Sequence, residues 1–373
     1  MPGVQAIDQA FIKRHNIERL LFALERCQPV TRTDLARITE MSSASVTRIV
    51  GALSARGLVR EVSLTGTAGR GRKAINLRTV PDGMFTLGCH VDPGGLRLCL
   101  LDFSHTVRAS VEAPAPPGDL TPDRLAALAR EQLLRLPVPF PARVRCAGVS
   151  LSGRVDVAGR VVESRVFGWT DADLIAPLSR ALSMPVIIEN DVKACLTWEC
   201  ACRGLRQEGR DAAYLYLGRT GIGFANTVGG TLVRGQSNAA GEIEDISLGL
   251  NERLSEHLMA ESLVARARRI APSVSSMADI LEASRMGLPW ARVLMDDFFS
   301  HLNIVIQLVR ALLDPHAIIL GGDIPDALRA GGLLPDEPGC LAGERFEESC
   351  ARGAAAIAMQ RALDDLINGA MDA

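Results

Sequence analysis

Three short helical patterns followed by a basic, glycine-rich hairpin occupy the first 80 residues, and this order leaves few folds open to them. The first helix is predicted by apolar residues at i, i+3, i+4 and i+7: Ile17, Leu20, Leu21 and Leu24. Pro29 breaks that pattern, and Thr31 with Asp34 three positions later predicts the capped start of a second helix. Ser42 predicts the cap of a third helix, which Gly57 ends. The buried stripe of the third helix is predicted to contain Val46, Ile49, Val50 and Leu53.

The opposite face of the third helix carries small and hydroxyl side chains with one arginine: Ser43, Ala44, Ser45, Thr47 and Arg48. Such a face lets a helix lie deep in the major groove of duplex DNA and donate hydrogen bonds to phosphates and base edges. We therefore expect these five residues to read DNA.

A hairpin is predicted after the third helix, with strands over 58–62 and 74–77. Its tip, residues 65–73, is rich in glycine and contains Arg70, Arg72 and Lys73. A basic tip of this kind is typical of a wing that lies along the DNA backbone or in the minor groove. The whole segment predicts a winged helix-turn-helix. The alternative is a small structural helical domain with a solvated basic loop.

The charge balance favours the DNA-binding interpretation. Residues 1–80 carry 13 Lys and Arg against 6 Asp and Glu, although the whole chain has a formal net charge of −2. A basic segment on an acidic body indicates a nucleic-acid partner for that segment alone.

The nine cysteines are expected to be reduced thiols, because their number is odd and the first residues lack the features of a secretory signal. Cys195, Cys200 and Cys202 fit no familiar zinc spacing, so we expect them to pack along a helix. No apolar run reaches the roughly 18–20 residues that span a bilayer. We expect a cytoplasmic protein with no membrane partner.

From residue 85 onward, predicted strands alternate with predicted helices, which indicates an α/β architecture with ligands at the carboxyl ends of strands. Asn190 and Asp191 follow one short buried strand, where they suit a polyol, a general base toward a hydroxyl, or simply a helix cap. The glycine-rich stretch 218–223 follows another strand and fits either a phosphate or a tight hairpin.

Short motifs recur along nearly the whole chain, at residues 12–16, 31–36, 45–50, 189–191, 221–223, 239–243, 313–322 and 352–355. In this order and spacing they resemble the transcriptional regulators of the ROK family (repressors, open reading frames and kinases). The resemblance implies a winged helix-turn-helix, residues 1–80, ahead of an actin-like, sugar-kinase-type body with two lobes. The small lobe would comprise 81–192 plus 353–373, and the large lobe 193–352 would carry the effector cleft and a dimer surface.

The resemblance also implies site residues. A sugar or sugar derivative would be bound by Asn190, Asp191, Glu242, Asp245 and Glu256, and Asp191 stands where kinases of the family hold their base. In the helix-turn-helix, Arg32 and Thr33 of the second helix would join the third-helix face and the wing in contacting DNA.

Two departures from the family pattern argue against a working kinase. His90 replaces the aspartate of the first phosphate loop, and phosphoryl transfer depends on positioning and charge neutralisation around the nucleotide. Asp245 replaces a histidine that contacts sugar and zinc in relatives, and residues 246–262 contain no cysteine. We therefore predict no structural zinc, no other metal and no cofactor.

The sequence thus predicts a DNA-binding regulator, in the first place a repressor, that binds a double-stranded operator as a homodimer or larger homo-oligomer and responds to a carbohydrate-like effector. It is not expected to be an enzyme. Two alternatives stay open: an ATP-dependent sugar kinase with an N-terminal extension, and a constitutive DNA-binding protein with a vestigial sugar pocket.

Overall fold

The computed structural model describes residues 9–63, 75–116, 118, 120–137, 143–206, 208–247, 252–334 and 338–368. Its N-terminal unit consists of α1 (Gln9–Cys27), β1 (Val30–Thr31), α2 (Arg32–Thr39), α3 (Ser43–Ala55), β2 (Val59–Val62) and β3 (Asn76–Thr79). The three strands form an antiparallel sheet in the order β1-β3-β2. The helix caps are as predicted, because the Thr31 hydroxyl accepts from the Asp34 amide and the Ser42 hydroxyl from the Ser45 amide. The tip of the predicted wing lies outside the described residues.

The small lobe is built on a five-stranded sheet in the order β11-β7-β4-β5-β6. Its elements are β4 (Phe85–Asp92), β5 (Gly95–Asp102), β6 (Val107–Pro114), α4 (Pro122–Arg135), β7 (Val144–Leu151), β8 (Arg154–Val155), β9 (Val161–Ser164), β10 (Trp169–Ala172), α5 (Ile175–Leu182) and β11 (Val186–Asn190). Strands β8, β9 and β10 form a separate antiparallel sheet.

The large lobe follows helix α6 (Asp191–Cys202) and is built on the sheet β14-β13-β12-β15-β16. Its elements are β12 (Ala212–Leu217), β13 (Ile222–Val228), β14 (Thr231–Leu232), α7 (Leu254–Leu258), α8 (Ala260–Arg268), α9 (Met277–Arg285), α10 (Pro289–Leu313), β15 (Ala317–Gly321), α11 (Asp323–Ala330) and β16 (Cys340–Ala342). Among the described residues, no helix has the length and apolar content needed to cross a membrane.

The two lobes repeat one topology. Each lobe has three successive antiparallel strands, β4 to β6 in one and β12 to β14 in the other. Two further strands lie parallel beside the first of the three, giving the parallel sets β4-β7-β11 and β12-β15-β16. The carboxyl ends of β11 and β12, which lie on different lobes, each lead directly into one of the two polar or glycine-rich segments singled out from the sequence.

Helix α12 (Phe346–Asn368) crosses back from the large lobe onto the small lobe. Glycines allow this close packing. A Cβ on Gly88 of β4 would lie 1.9 Å from the Ala351 carbonyl, and one on Gly353 would lie 1.8 Å from the Ala194 carbonyl of α6. Any Cβ at these two positions would collide with backbone atoms. Only glycine therefore allows α12 to pack this closely against β4 and α6.

Candidate DNA-binding surface and effector cleft

Helix α3 separates its two predicted faces cleanly. Val46, Ile49, Val50 and Leu53 are buried in the core that α3 shares with α1. On the other face Ser43, Ala44, Thr47 and Arg48 are exposed. Ser45 is half-buried, and its hydroxyl accepts a hydrogen bond from Ser42 at 2.9 Å. The face that the sequence assigns to DNA is therefore free of the body in this structure.

Arg48 has no side-chain hydrogen bond or ion pair with any other residue in the described ranges, so its guanidinium projects into solvent from the middle of α3. Arg32 and Thr33 begin the neighbouring helix α2. Thr33 is exposed, whereas Arg32 is half-buried and paired with Glu61 of the wing at 2.8 Å. Arg32 can thus reach a phosphate only by giving up this exposed ion pair, which is worth roughly 0–1 kcal/mol.

The wing carries two cations that sequence reasoning missed. Arg60 on β2 and Arg78 on β3 are direct partners in the antiparallel register, and both are exposed. Like charges directly opposite each other destabilise a sheet unless an anion lies against them. The sequence alone could not show that these two arginines face each other, because their pairing depends on the exact bounds of both strands. Arg70, Arg72 and Lys73 fall in the part of the wing outside the described residues.

In the cleft, Asn190 and Asp191 lie where β11 ends and α6 begins. The Asn190 side chain caps α6 by accepting from the Lys193 amide at 3.1 Å, and its amide nitrogen donates to the Gly153 carbonyl at 3.1 Å. The capping role weighed from the sequence is therefore present, and it holds Asn190 rigidly. Asp191 is 6% exposed, and one of its oxygens accepts from the Val192 amide at 2.8 Å.

The pKa of Asp191 is raised to about 7, mainly by burial; the Val192 hydrogen bond opposes this rise, and the nearby Glu242 adds to it. Burial also raises the pKa of Glu242, against the attraction of Lys193 and Arg154. Two neighbouring carboxyl groups of raised pKa can share protons, so one can donate to and the other accept from the hydroxyl groups of a polyol.

The other two predicted effector residues, Asp245 and Glu256, are both exposed, and no contact joins Glu256 to Asp191 or Glu242 within the described ranges. Asp245 accepts from Arg165 at 2.6 Å and from Arg253 at 3.0 Å, and these contacts lower its pKa. Arg165 belongs to the small lobe and Asp245 to the large lobe, so this exposed ion pair joins the two lobes. We call the region around it the mouth of the candidate cleft. Glu256 is exposed on α7, and its side chain makes no hydrogen bond or ion pair within the described ranges.

A buried charged cluster around Lys193, two residues after Asp191 on α6, was not predicted. Lys193 is 1% exposed, and its ammonium donates to the main-chain oxygen of Asn238 in the large lobe. Burial lowers the pKa of Lys193, against the attraction of Glu189 and Glu242. Glu189 is itself buried and accepts from Arg234 at 2.6 Å. Buried charges are stable only when paired, so this cluster fixes the large-lobe segment that carries Arg234 and Asn238 against α6 and β11.

The predicted phosphate loop is a tight β4-β5 turn. An Asp92 oxygen accepts from the Gly94 amide at 2.6 Å inside the turn. His90 is buried, with Nδ1 3.2 Å from the Ser150 hydroxyl, and burial lowers its pKa to about 4. His90 is therefore a neutral ring at pH 7 and adds no positive charge to this turn.

The glycine turns at the ends of β12 and β15 are covered by aromatic rings. Tyr216 stacks on Phe346 with ring centroids 4.1 Å apart. A Cβ on Gly218 would lie 2.2 Å from the Tyr216 hydroxyl, and one on Gly322 would lie 2.8 Å from the Tyr216 ring. An Asp323 oxygen accepts from the Arg219 amide at 2.7 Å. Aromatic carbon and a carboxylate thus occupy the turns that could otherwise cradle a phosphate.

Helix α12 joins the cleft to the DNA-binding unit. The Cys350 thiol donates to the Asp191 main-chain oxygen at 3.3 Å. Further along the same helix Ala358, Met359 and Ala362 are buried in the core that contains α1 and α3. Near its end, the Leu366 carbonyl accepts at 3.0 Å from Arg56, the residue that caps α3.

Comparison with known proteins agrees with this anatomy. The family model for the ROK family matches residues 91–331, and that for the MarR family matches residues 19–71. A transcriptional regulator of Mycobacterium tuberculosis is 28% identical over 326 residues, which cover 80% of this chain and 73% of the relative. The xylose repressor of Bacillus subtilis is 22% identical over 334 residues, covering 85% and 84%.

Among solved structures, a ROK family transcriptional regulator described as a homolog of the Escherichia coli Mlc protein superposes with a TM-score of 0.77. It is 20% identical and covers 97% of this chain and all of its own, which shows that the fold is shared from end to end. Since the ROK model matches more than half of the chain, this protein belongs to the ROK family, with a MarR-like winged helix domain ahead of the ROK body.

Proposed function

We propose that this protein is a transcriptional repressor that binds operator DNA through its winged helix and releases or tightens that grip when a sugar or sugar derivative binds the cleft. The observation that carries the proposal is the exposed face of α3, which holds small and hydroxyl side chains around Arg48, an arginine with no partner among the described residues. The names of the two relatives, a transcriptional regulator and a xylose repressor, support the same assignment.

In this proposal the α3 face reads base edges in the major groove. Arg60 and Arg78 grip phosphates from the wing, together with Arg70, Arg72 and Lys73 at its tip. A palindromic operator requires two copies. An apolar stripe on α10, formed by Ile304, Leu308 and Leu312, is exposed in the single chain and supports a homodimer formed through the large lobe.

The effector is proposed to lie against Asp191 and Glu242, with Asn190 fixed beside them as the cap of α6. The lobes carry paired charges on both sides of the cleft, from the buried Lys193 cluster to Arg165 and Asp245 at its mouth. The exposed pairs are worth only roughly 0–1 kcal/mol each, so opening and closing the mouth costs little. A ligand that bridges the lobes can therefore shift the balance between open and closed forms.

Helix α12 is the proposed link between effector and DNA. It is 23 residues long, or about 34 Å at about 1.5 Å per residue. One end contacts the Asp191 backbone through Cys350, and the other contacts the α3 cap through Arg56. Because α12 packs closely against the β4 strand and α6, we expect a shift at the cleft to be passed along α12 to the C-terminal end of α3. The size of the response is limited by the effector's differential affinity for the two arrangements.

Loss of kinase activity is supported by the nucleotide side of the cleft. Phosphoryl transfer needs a cradle of backbone amides and cationic groups around the phosphates. Here Tyr216 covers the glycine turns, the Asp323 carboxylate holds the Arg219 amide, and His90 is neutral.

A sugar kinase remains the second candidate because of one observation. The pKa of Asp191, about 7, suits a general base near neutral pH. Incubation of the full chain with labelled ATP and a panel of sugars distinguishes the two. We expect no transfer, and turnover that disappears in D191N would establish the kinase instead.

The repressor proposal is tested by recovering genomic fragments bound to the full chain and measuring the affinity for the best of them with and without sugars. Sequence-selective binding that changes with one sugar is expected. Binding that no sugar alters, together with the absence of any thermal stabilisation by sugars or amino sugars, would identify a constitutive DNA-binding protein with a vestigial pocket.

A further inference from the structure

A cluster of two histidines and an aspartate lies on the large lobe, and its first member, His257, directly follows the predicted effector residue Glu256. His257 is on α7, and Asp297 and His301 are one turn apart on α10. His257 Nδ1 is 2.9 Å from one carboxylate oxygen of Asp297, and His301 Nδ1 is 3.3 Å from the other. The two imidazole rings are stacked with centroids 3.8 Å apart. One potential ligand atom from each residue lies within 4.8 Å of those of the other two.

In this structure the imidazoles hydrogen-bond within the cluster, and His301 Nδ1 also lies 2.8 Å from the Asp297 main-chain oxygen. The three side chains are nevertheless close enough to share one small transition-metal ion. With metal–ligand bonds of about 2.0–2.1 Å, two ligands of a tetrahedral ion lie about 3.3 Å apart. Two imidazoles and one carboxylate are a common donor set for zinc and for ferrous iron, and side chains at i and i+4 on a helix project toward one ion. The proposed DNA and effector contacts use none of the three residues.

We propose that His257, Asp297 and His301 form a binding site for a divalent first-row transition ion such as zinc. The site departs from the expectation of no metal drawn from the sequence, which concerned the cysteine-rich loop of the family. Its ligands come instead from two helices of this chain, and one or two water molecules would complete the coordination.

Arg266 on α8 competes for the same carboxylate. Its guanidinium donates to Asp297 at 2.7 Å and lies 3.5 Å from His257 Nδ1. The Arg266 side chain is 34% exposed, so it can turn into solvent when an ion takes its place. Removing this cation should therefore tighten metal binding, whereas removing a ligand should weaken it.

Metal binding would join α7 to α10 and so stabilise the segment that leads into α7. Arg253, immediately before α7, is held by Asp245 at 3.0 Å at the mouth of the cleft. Three residues separate Arg253 from His257. The site is therefore placed to fix one side of the cleft without contacting the effector.

The test uses the full chain with its two exposed thiols replaced, C27S and C202S, so that cysteine does not compete for the ion. Zinc affinity is measured at pH 7.5 by competition with a chromophoric chelator, and cobalt is used to record ligand-field absorption. We expect one ion per chain. H257Q and H301Q should each weaken binding by at least about tenfold, since even the loss of an outer partner costs about 10- to 100-fold.

H316Q is the matched control, because His316 is an exposed histidine of the same lobe outside the cluster. It should bind zinc like the parent, and R266Q should bind it more tightly. Circular dichroism checks that each variant is folded. If a ligand variant does not fold, the cobalt spectrum of the parent and the zinc affinity of R266Q still test the site. Failure of the parent to bind zinc, or equal affinities in H257Q, H301Q and H316Q, would overturn the proposal.

Discussion

Replacing Asp191 with asparagine should change how the stability of the protein depends on pH. Asp191 is 6% exposed at the start of α6, and burial raises its pKa from 3.8 to about 7. In the unfolded chain the same carboxyl group ionises near its ordinary value. The folded protein therefore holds this proton more tightly than the unfolded chain does at every pH between the two values.

The sign and size of the effect follow from this difference. The stabilisation that the protonated Asp191 provides is fully present below pH 3.8 and is lost as the pH rises through about 7. Each pKa unit corresponds to about 1.4 kcal/mol, so the full loss is on the order of 4 kcal/mol at most. Asparagine does not titrate. As the pH rises from 5 to 8, the free energy of unfolding of D191N should therefore increase relative to that of wild type by about 1–3 kcal/mol.

Urea unfolding of both proteins at pH 5, 6, 7 and 8, followed by circular dichroism, measures this gain. The difference between the two curves isolates Asp191, because the other groups with shifted pKa values, such as Glu25 and His90, are common to both proteins. The assignment of Asp191 as a buried carboxyl group that is half-protonated near neutrality would be refuted by either of two results. The difference in unfolding free energy between D191N and wild type could stay constant from pH 5 to pH 8, or D191N could lose stability relative to wild type as the pH rises.

Three further predictions concern DNA binding and packing. R48A should lose about 1–3 kcal/mol of binding free energy at one base pair, measured by fluorescence anisotropy on operator variants, whereas an equal loss on every sequence would make Arg48 a phosphate contact. The double variant R60Q/R78Q should reduce the slope of log affinity against log salt concentration by up to about 2, and an unchanged slope would remove both arginines from the interface. G353A should lower the free energy of unfolding by about 1–3 kcal/mol because its Cβ would meet the α6 backbone at 1.8 Å, while G51A, with nothing within 4 Å, should raise it by about 0.5–1 kcal/mol; comparable effects in the two variants would contradict the packing described for α12.

The local patterns of the sequence were sufficient to predict the winged helix. Spacing alone separated Val46 and Ile49 from Thr47 and Arg48, because a helix places residues three and four apart on one face. The caps at Thr31 and Ser42 were predictable for the same reason, since they involve only the next three residues.

Contacts between segments distant in sequence were beyond such reasoning. The stack of Tyr216 on Phe346 joins β12 to the start of α12, and nothing near either residue indicates the other. The burial of Lys193 likewise depends on Asn238, which lies 45 residues further along the chain. The metal-ligand cluster was missed because His257 and Asp297 lie on different helices and match no short motif. Asn190 was the intermediate case, since both of its possible roles were visible and only the structure shows the cap.

The central claim is that the exposed face of α3 binds duplex DNA and that occupancy of the cleft changes this binding. The most direct measurement is the affinity of the full chain for genomic fragments that it enriches at low salt, taken with and without each of a panel of sugars. The account predicts tight binding to a few fragments with two-fold symmetric sequences, a marked loss in R48A, and a shift with one class of sugar. If no fragment is enriched at low salt, or if R48A binds as tightly as wild type to every enriched fragment, α3 is not the DNA-reading surface.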